Sequence, residues 1–338
     1  MMDQKNLQIV LASRPVGAPV QDNFRQEWSA IPSPGEGQVL LKIRYLSLDP
    51  YMRGRMNDAK SYAAPVAIGQ VMEGGTIGEV MESRHDDFVA GDMVVSHSGW
   101  QSYAVANGAE LRKLDSCEAP VTTALGVLGM PGFTAYAGLL TIGKPQAGET
   151  VVVAAASGPV GSAVGQIARI AGARAVGIAG GADKCAFVRD ELGFDAVVDH
   201  RSPDFVAELA AACPGGIDVY FENVGGKVFQ AVFPLLNPFA RVPVCGLVAQ
   251  YNSGGEFEGP DRLPLLMRDV LSKSLTVRGF IQREFVDQRP AFYRQMAEWI
   301  GAGRVKYRED FVDGLDKAPA GLTGLLEGRN FGKLIVRI

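Results

Sequence analysis

The stretch VVVAAASGPVGSAVGQIARIAGARAVGIAGGADK, residues 151–184, decides the fold. Its β-branched opening, Val151 to Val153, runs into a glycine-bearing turn. An apolar, low-charge helical pattern follows from about Val160 to Ala171, and a second apolar run spans Ala175 to Ala179. This order reads as a βαβ unit with a phosphate-binding turn at its first strand–helix junction. Ala156, Gly158 and Gly161 occupy the three positions of a GxGxxG-type fingerprint, alanine standing at the first. Gly158 lets the backbone approach a pyrophosphate, and Gly161 lets the helix pack close to the strand. The helix N-terminus offers free amides and a partial positive charge. A bare glycine pattern also suits an ordinary tight turn; the flanking strands and helix turn the reading toward a nucleotide site.

Working outward, strand and helix candidates alternate through the C-terminal two thirds. Strands are expected at 151–155, 175–179, 196–198, 217–221, 240–246 and 275–280. Helices are expected at 160–171, 183–192, 203–212, 226–235, 262–272 and 289–302, preceded by helical spacing around 122–128 and 133–141. That alternation describes an α/β fold with a doubly wound parallel sheet. The N-terminal third instead shows short alternating segments at 38–45, 75–81, 93–98, 101–106 and 111–113, punctuated by glycine and proline. It reads as a compact, barrel-like β domain. The closing segment from Lys306 ends in the strand-like Gly332–Arg337. Its return to the β domain would make the nucleotide domain an insertion. The expected division is 1–125, 126–304 and a return segment 305–338.

The 338 residues suffice for two domains with real cores, and 47% hydrophobic with 21% charged residues is ordinary for a globular chain. A net charge of -4 argues against a general nucleic-acid or acidic-membrane binder. The opening MMDQKNLQIVLASRP lacks the pattern of a secretory signal, and the uncharged stretch from about Thr150 to Ala168 is broken by glycine and proline; a cytoplasmic protein is expected. The four cysteines (Cys117, Cys185, Cys213, Cys245) and three histidines (His85, His97, His200) are widely and irregularly spaced, with no CxxC pair. They predict neither a structural zinc lobe nor a disulfide framework, but scattered reduced thiols, with Cys245 in a buried strand.

The second strand ends Ile178-Ala179-Gly180-Gly181, without the acid that would bind the ribose hydroxyls of NAD. Lys184 follows, and His200 and Arg201 lie just beyond the third strand; all three suit a 2′-phosphate. NADPH is therefore favoured over NADH, with Asp183 as the dissenting residue unless it caps its helix. Asn223, in the Glu222–Gly226 turn after the fourth strand, either bonds the cofactor or belongs to a plain strand-to-helix turn.

These residues resemble the medium-chain dehydrogenase/reductase superfamily. The closest likeness is to its zinc-independent branch of prostaglandin reductases (leukotriene 12-hydroxydehydrogenases), plant double-bond reductases and bacterial curcumin reductases. The resemblance rests on LSLDPYMRGRM (46–56), LGVLGMPGFTAYAGL (125–139), residues 149–184, DVYFENVGG (218–226), RVPVCGLVAQYN (241–252), GFIQREF (279–285) and GRNFGKLIVRI (328–338). It implies a GroES-like catalytic domain and a Rossmann domain with the active site in the cleft between them. It also implies NADPH as hydride donor, an α,β-unsaturated ketone or aldehyde as acceptor, and a homodimer. Cofactor contacts carry over to Gly158, Pro159, Val160, Gly161, Lys184, Asn223, Cys245, Gly246, Leu247, Val248, Ala249, Gln250, Phe280, Ile281, Gln282 and Asn330. His200 departs from the tyrosine found beside the adenosine phosphate in the prostaglandin reductases. By analogy Met130 and Phe133 line or support the substrate pocket, or are plain core.

Where the zinc enzymes of the superfamily place a ligating cysteine, this chain has Asp49, so metal-assisted carbonyl reduction is not expected. Reduction of a conjugated C=C needs a donor for the developing enolate oxygen, a task that suits a neutral tyrosine hydroxyl. Tyr251 is the first candidate and Tyr51 the second; Tyr51 either faces substrate or, with Arg53, fixes its own loop. A quinone reductase of the same fold and a non-catalytic NADPH-binding protein are the competing readings.

Overall fold

The computed structural model describes residues 5–114, 119–254 and 260–338. The first four residues of the opening segment, and Cys117, lie outside them. The chain divides into two compact units, Met1–Gly126 with Glu309–Ile338, and Val127–Arg308.

In the first unit, β1 (Lys5–Leu11) and β2 (Phe24–Ala30) pair antiparallel. A larger sheet is built from β3 (Gln38–Ser47), β4 (Thr76–Ser83), β5 (Met93–Ser96), β6 (Tyr103–Asn107) and β7 (Arg112–Lys113). Alternation puts Val39, Leu41 and Ile43 of β3 inward, where they pack against Val80, Val94 and Ala104. A short helix, α1 (Tyr51–Arg55), follows β3.

The second unit opens with α2 (Met130–Ala137). Strands and helices then alternate: β8 (Thr150–Ala154), α3 (Pro159–Ile170), β9 (Arg174–Ala179), α4 (Ala182–Ala186), β10 (Ala196–Asp199), α5 (Phe205–Ala212), β11 (Ile217–Phe221), α6 (Gly226–Val232), β12 (Leu236–Val244), α7 (Leu263–Ser272), β13 (Thr276–Gly279) and α8 (Arg289–Gly301). The six strands are parallel in the order β10-β9-β8-β11-β12-β13. This is the doubly wound order of a dinucleotide-binding fold, whose strand order reverses beside β8. Val152, Val176, Ile178, Val198, Tyr220 and Val242 share one buried face with Leu209 of α5 and Val232 of α6.

The chain then returns to the first unit. There β14 (Glu309–Asp313) pairs parallel with β15 (Lys333–Arg337), and β15 pairs antiparallel with β3; α9 (Ala318–Leu326) connects the two. Among the described residues, no helix is long and apolar enough to cross a membrane.

Candidate functional site

Gly158 caps α3 in an extended conformation, and Pro159 takes the first helical position, where its missing N–H costs nothing. A Cβ on Gly161 would lie 2.3 Å from the Ala155 carbonyl oxygen and 2.9 Å from the Ala156 Cα. One on Gly165 would lie 1.9 Å from the Phe194 ring. Neither position has room for a side chain, and α3 is thereby pressed against the sheet. Ala155 itself sits at φ 53°, a left-handed turn residue directly after β8. Orphan first-turn amides above a glycine turn form a cradle for a pyrophosphate.

At the neighbouring strand end, Gly180 and Gly181 leave β9 beneath two basic side chains. A Cβ on Gly180 would fall 2.6 Å from Nε2 of His200 and 3.1 Å from Nε of Arg201. Asp199 is not aimed at a ligand: its Oδ1 accepts from the amides of Gly181 (3.0 Å) and Arg201 (2.9 Å). Burial works against its ionisation, yet these bonds and the charges of His200 and Arg201 hold its carboxyl below the usual value. Lys184 lies on α4 and is close enough for its charge to act on His200.

The third component is the pair of turns after β11 and β12. Glu222 is buried, and its Oε1 accepts from the amides of Val224 (2.6 Å) and Gly225 (2.8 Å) and from the Tyr220 hydroxyl (3.1 Å). The Asn223 side chain donates to the Ala154 carbonyl at 2.9 Å, tying this turn to the end of β8. Backbone bonds then carry the geometry onward: Cys245 N to Glu222 O, Val248 N to Asn223 O, and Ala249 N to Val224 O. Leu247 and Gln250 complete this one-turn segment, and Tyr251 follows it. The Tyr251 hydroxyl folds back to 3.3 Å from where a Cβ on Gly246 would stand. Glu222, the organiser of both turns, was missed as a separate residue. Its signal was an acid ending a strand directly before Asn-Val-Gly-Gly.

One expected residue, Cys245, is placed differently. Cys245 is not in a buried strand: β12 ends at Val244, and Cys245 is half-buried beyond it. Lost hydration and the nearby Glu222 push its thiol up to about 12. Phe133, expected to line or support the pocket or to be plain core, is fully buried, its ring 5.3 Å from Phe292 and covered by Arg289 at 4.7 Å. Met130 begins α2 and is partly exposed. The Phe280 ring packs near Phe221 and Phe285. The Ile281 amide donates to Glu284, and Gln282 accepts from Arg289 at 2.7 Å.

Tyr51 and Asn330 belong to the first unit. Asn330 donates to the Gly332 carbonyl at 2.7 Å. Tyr51 opens α1 directly after a buried ion pair, Asp49 with Lys333 at 2.7 Å. Lys333 also donates to the Leu48 carbonyl at 2.7 Å, and Asp49 accepts from the Ser47 hydroxyl. The buried Arg53 donates to the Gly17 carbonyl. Burial, then the carboxylates of Asp49 and Glu73, hold the Tyr51 hydroxyl protonated to well above the usual phenol value.

Comparison with known proteins agrees with this geometry. The family described as "N-terminal domain of oxidoreductase" matches residues 7–114, and "zinc-binding dehydrogenase" matches 159–302. The chain is 55% identical over 336 residues to the NADPH-dependent curcumin reductase of Escherichia coli (strain K12), spanning 99% of this chain and 97% of that protein. It is 37% identical over 326 residues to prostaglandin reductase 1 of Rattus norvegicus, spanning 95% of each. The crystal structure of CurA from Vibrio vulnificus superposes with a TM-score of 0.93 at 54% identity, covering 98% of each chain. That of CurA in complex with NADPH gives 0.94 at 53%, with the same coverage. The chain belongs to the zinc-independent branch of the medium-chain dehydrogenase/reductase family of oxidoreductases. The "zinc-binding" label describes the wider family; here Asp49 is already engaged by Lys333 and Ser47.

Proposed function

We propose that this chain is an NADPH-dependent reductase of the carbon–carbon double bond of α,β-unsaturated ketones and aldehydes. The observation that carries the reading is one switch-point surface that joins the α3 cradle, a basic end at Gly180–Gly181 and the Tyr251 turn. It is supported by the extended likeness to curcumin and prostaglandin reductases. The bound cofactor supplies a hydride to the β-carbon of the acceptor.

The α3 amides hold the pyrophosphate. Lys184, His200 and Arg201 hold the 2′-phosphate; β9 ends in Ala179-Gly180-Gly181 without an acid, and Asp199 is taken up by backbone amides. Asn223 and the 245–250 turn orient the cofactor. The Tyr251 hydroxyl donates to the substrate carbonyl oxygen as enolate charge develops there, a role worth about 10²-fold or more for a positioned acid. Tyr51, kept neutral by its surroundings, is the second donor to substrate.

Two copies pair through the β13 edge and α7, where Leu263, Met267, Leu271 and Val277 are exposed; light scattering that gives a monomer mass would refute this. The unpaired Cys185, Cys213 and Cys245 fit a reducing, cytoplasmic setting. The test of function is cofactor consumption with a simple aliphatic enone, NADPH against NADH, with mass analysis of the product. A saturated ketone formed with NADPH preferred supports the reading. Turnover of quinones alone would replace it with a quinone reductase, and tight NADPH binding without turnover of either would leave a binding protein.

A further inference from the structure

The basic end of the nucleotide site differs from the other two components in holding a histidine, His200. His200 lies at the surface with Nε2 above Gly180, beside the Arg201 guanidinium that reaches over Gly180 and Gly181. The charged groups acting on it come from three places. Arg201 follows it in the chain, Lys184 stands on α4, and Asp199 ends β10. Asp199 is committed to two backbone amides, the exposed Asp183 precedes Lys184, and Glu208 of α5 is turned to the Ser202 hydroxyl at 2.8 Å. The nearby Cys185 thiol is held protonated by burial and Asp199.

We propose that His200 makes recognition of the 2′-phosphate proton-linked: the imidazole takes up a solvent proton as a 2′-phosphorylated nucleotide docks over Gly180–Gly181. Preference for NADPH over NADH is then greatest at mildly acidic pH. The inference rests on the dinucleotide reading above.

The sign follows from the surroundings. In the free protein, lost hydration and the Arg201 and Lys184 charges outweigh Asp199 and hold His200 below its ordinary value. A phosphate monoester brings a charge of about −1.5 to −2 to the same spot, which favours the imidazolium. The bound value is therefore higher than the free one. The added affinity is complete below the free value and is lost as pH rises through the bound value. The phosphate's own ionisation, near pH ~6, releases protons when cations bind it and so has the opposite sign.

The test is calorimetric titration of the full chain with adenosine 2′,5′-bisphosphate in buffers of different ionisation enthalpy, with adenosine 5′-monophosphate as control. Net uptake of about half a proton or more per site near neutral pH is expected, with affinity for the bisphosphate at least about threefold weaker at pH ~8.5 than at pH ~6.5. His200→Gln should abolish the uptake and flatten the profile. It should also remove one of three histidine NMR resonances, the one that titrates higher when bisphosphate is bound. Binding with no proton uptake and a flat profile would overturn the proposal and leave the phosphate site standing. Equal pH dependence for the monophosphate would also overturn it. Absence of bisphosphate binding at every pH would overturn both the linkage and the NADPH reading.

Discussion

Two tyrosine-bearing loops, one in each unit, are held by opposite means. The loop of Tyr51 is anchored by charged side chains: Lys333 on Asp49 and the Leu48 carbonyl, and Arg53 on the Gly17 carbonyl. The loop of Tyr251 hangs by main-chain bonds on the turn at Glu222–Val224, which the Glu222 and Asn223 side chains shape, and Gly246 leaves space for the hydroxyl. A buried ion pair contributes little net stability when intact, but is costly to break because one charge is left stranded. Main-chain bonds to the second loop do not involve the tyrosine hydroxyl, so removing that hydroxyl leaves them in place. The first loop should therefore fail through stability and the second through catalysis.

The largest expected effect follows from stranding the charge. Lys333→Met leaves Asp49 buried and unpaired, and should cost about 3–5 kcal/mol in denaturant unfolding of the first unit. A loss below ~1 kcal/mol would show that water or relaxation rescues Asp49, and that charge is not what holds α1. Next comes Gly161→Ala, where the new methyl meets the Ala155 carbonyl, which is backbone and cannot swing aside. Overpacking of this kind costs about 1–3 kcal/mol. Here it should also weaken NADPH binding, and fluorescence titration showing wild-type affinity would break the assignment of the cradle. Tyr251→Phe should lower kcat by more than ~10-fold with melting temperature and cofactor affinity unchanged. Tyr51→Phe is the smallest, a change in kcat within about threefold if its neutral hydroxyl only assists. A larger loss at Tyr51 than at Tyr251 would invert the comparison.

All six parallel strands are legible: β8 and β9 as almost wholly buried apolar runs, Val151–Val153 and Ala175–Ala179, and β13, whose residues are exposed, through its place in the strand–helix alternation. β2, FRQEWSA, and β14, EDFVD, are not read from the sequence because their polarity is spread too evenly, whereas β3, with one face outward, alternates cleanly enough to stand out. The β12 start was placed late because Pro238 reads as a break, although the strand begins at Leu236. The helix expected at 183–192 is split, with α4 ending at Ala186 and a wider-wound turn following to Glu191.

In the candidate site, the backbone cradle is legible because glycine marks it. The roles of Glu222 and Asp199 are not, since an acid at a strand end reads the same whether it meets ligand or its own backbone. Nor does the sequence distinguish Phe133 and Phe280 as core from pocket, because an aromatic side chain suits both.

The most direct test follows the hydride. Enzyme is incubated with an aliphatic enone and NADPH deuterated at the transferring position of the nicotinamide, and the product is read by NMR. Deuterium on the β-carbon of a saturated ketone is the predicted result. Deuterium on a carbinol carbon, with the double bond intact, would contradict the account and assign the site to carbonyl reduction.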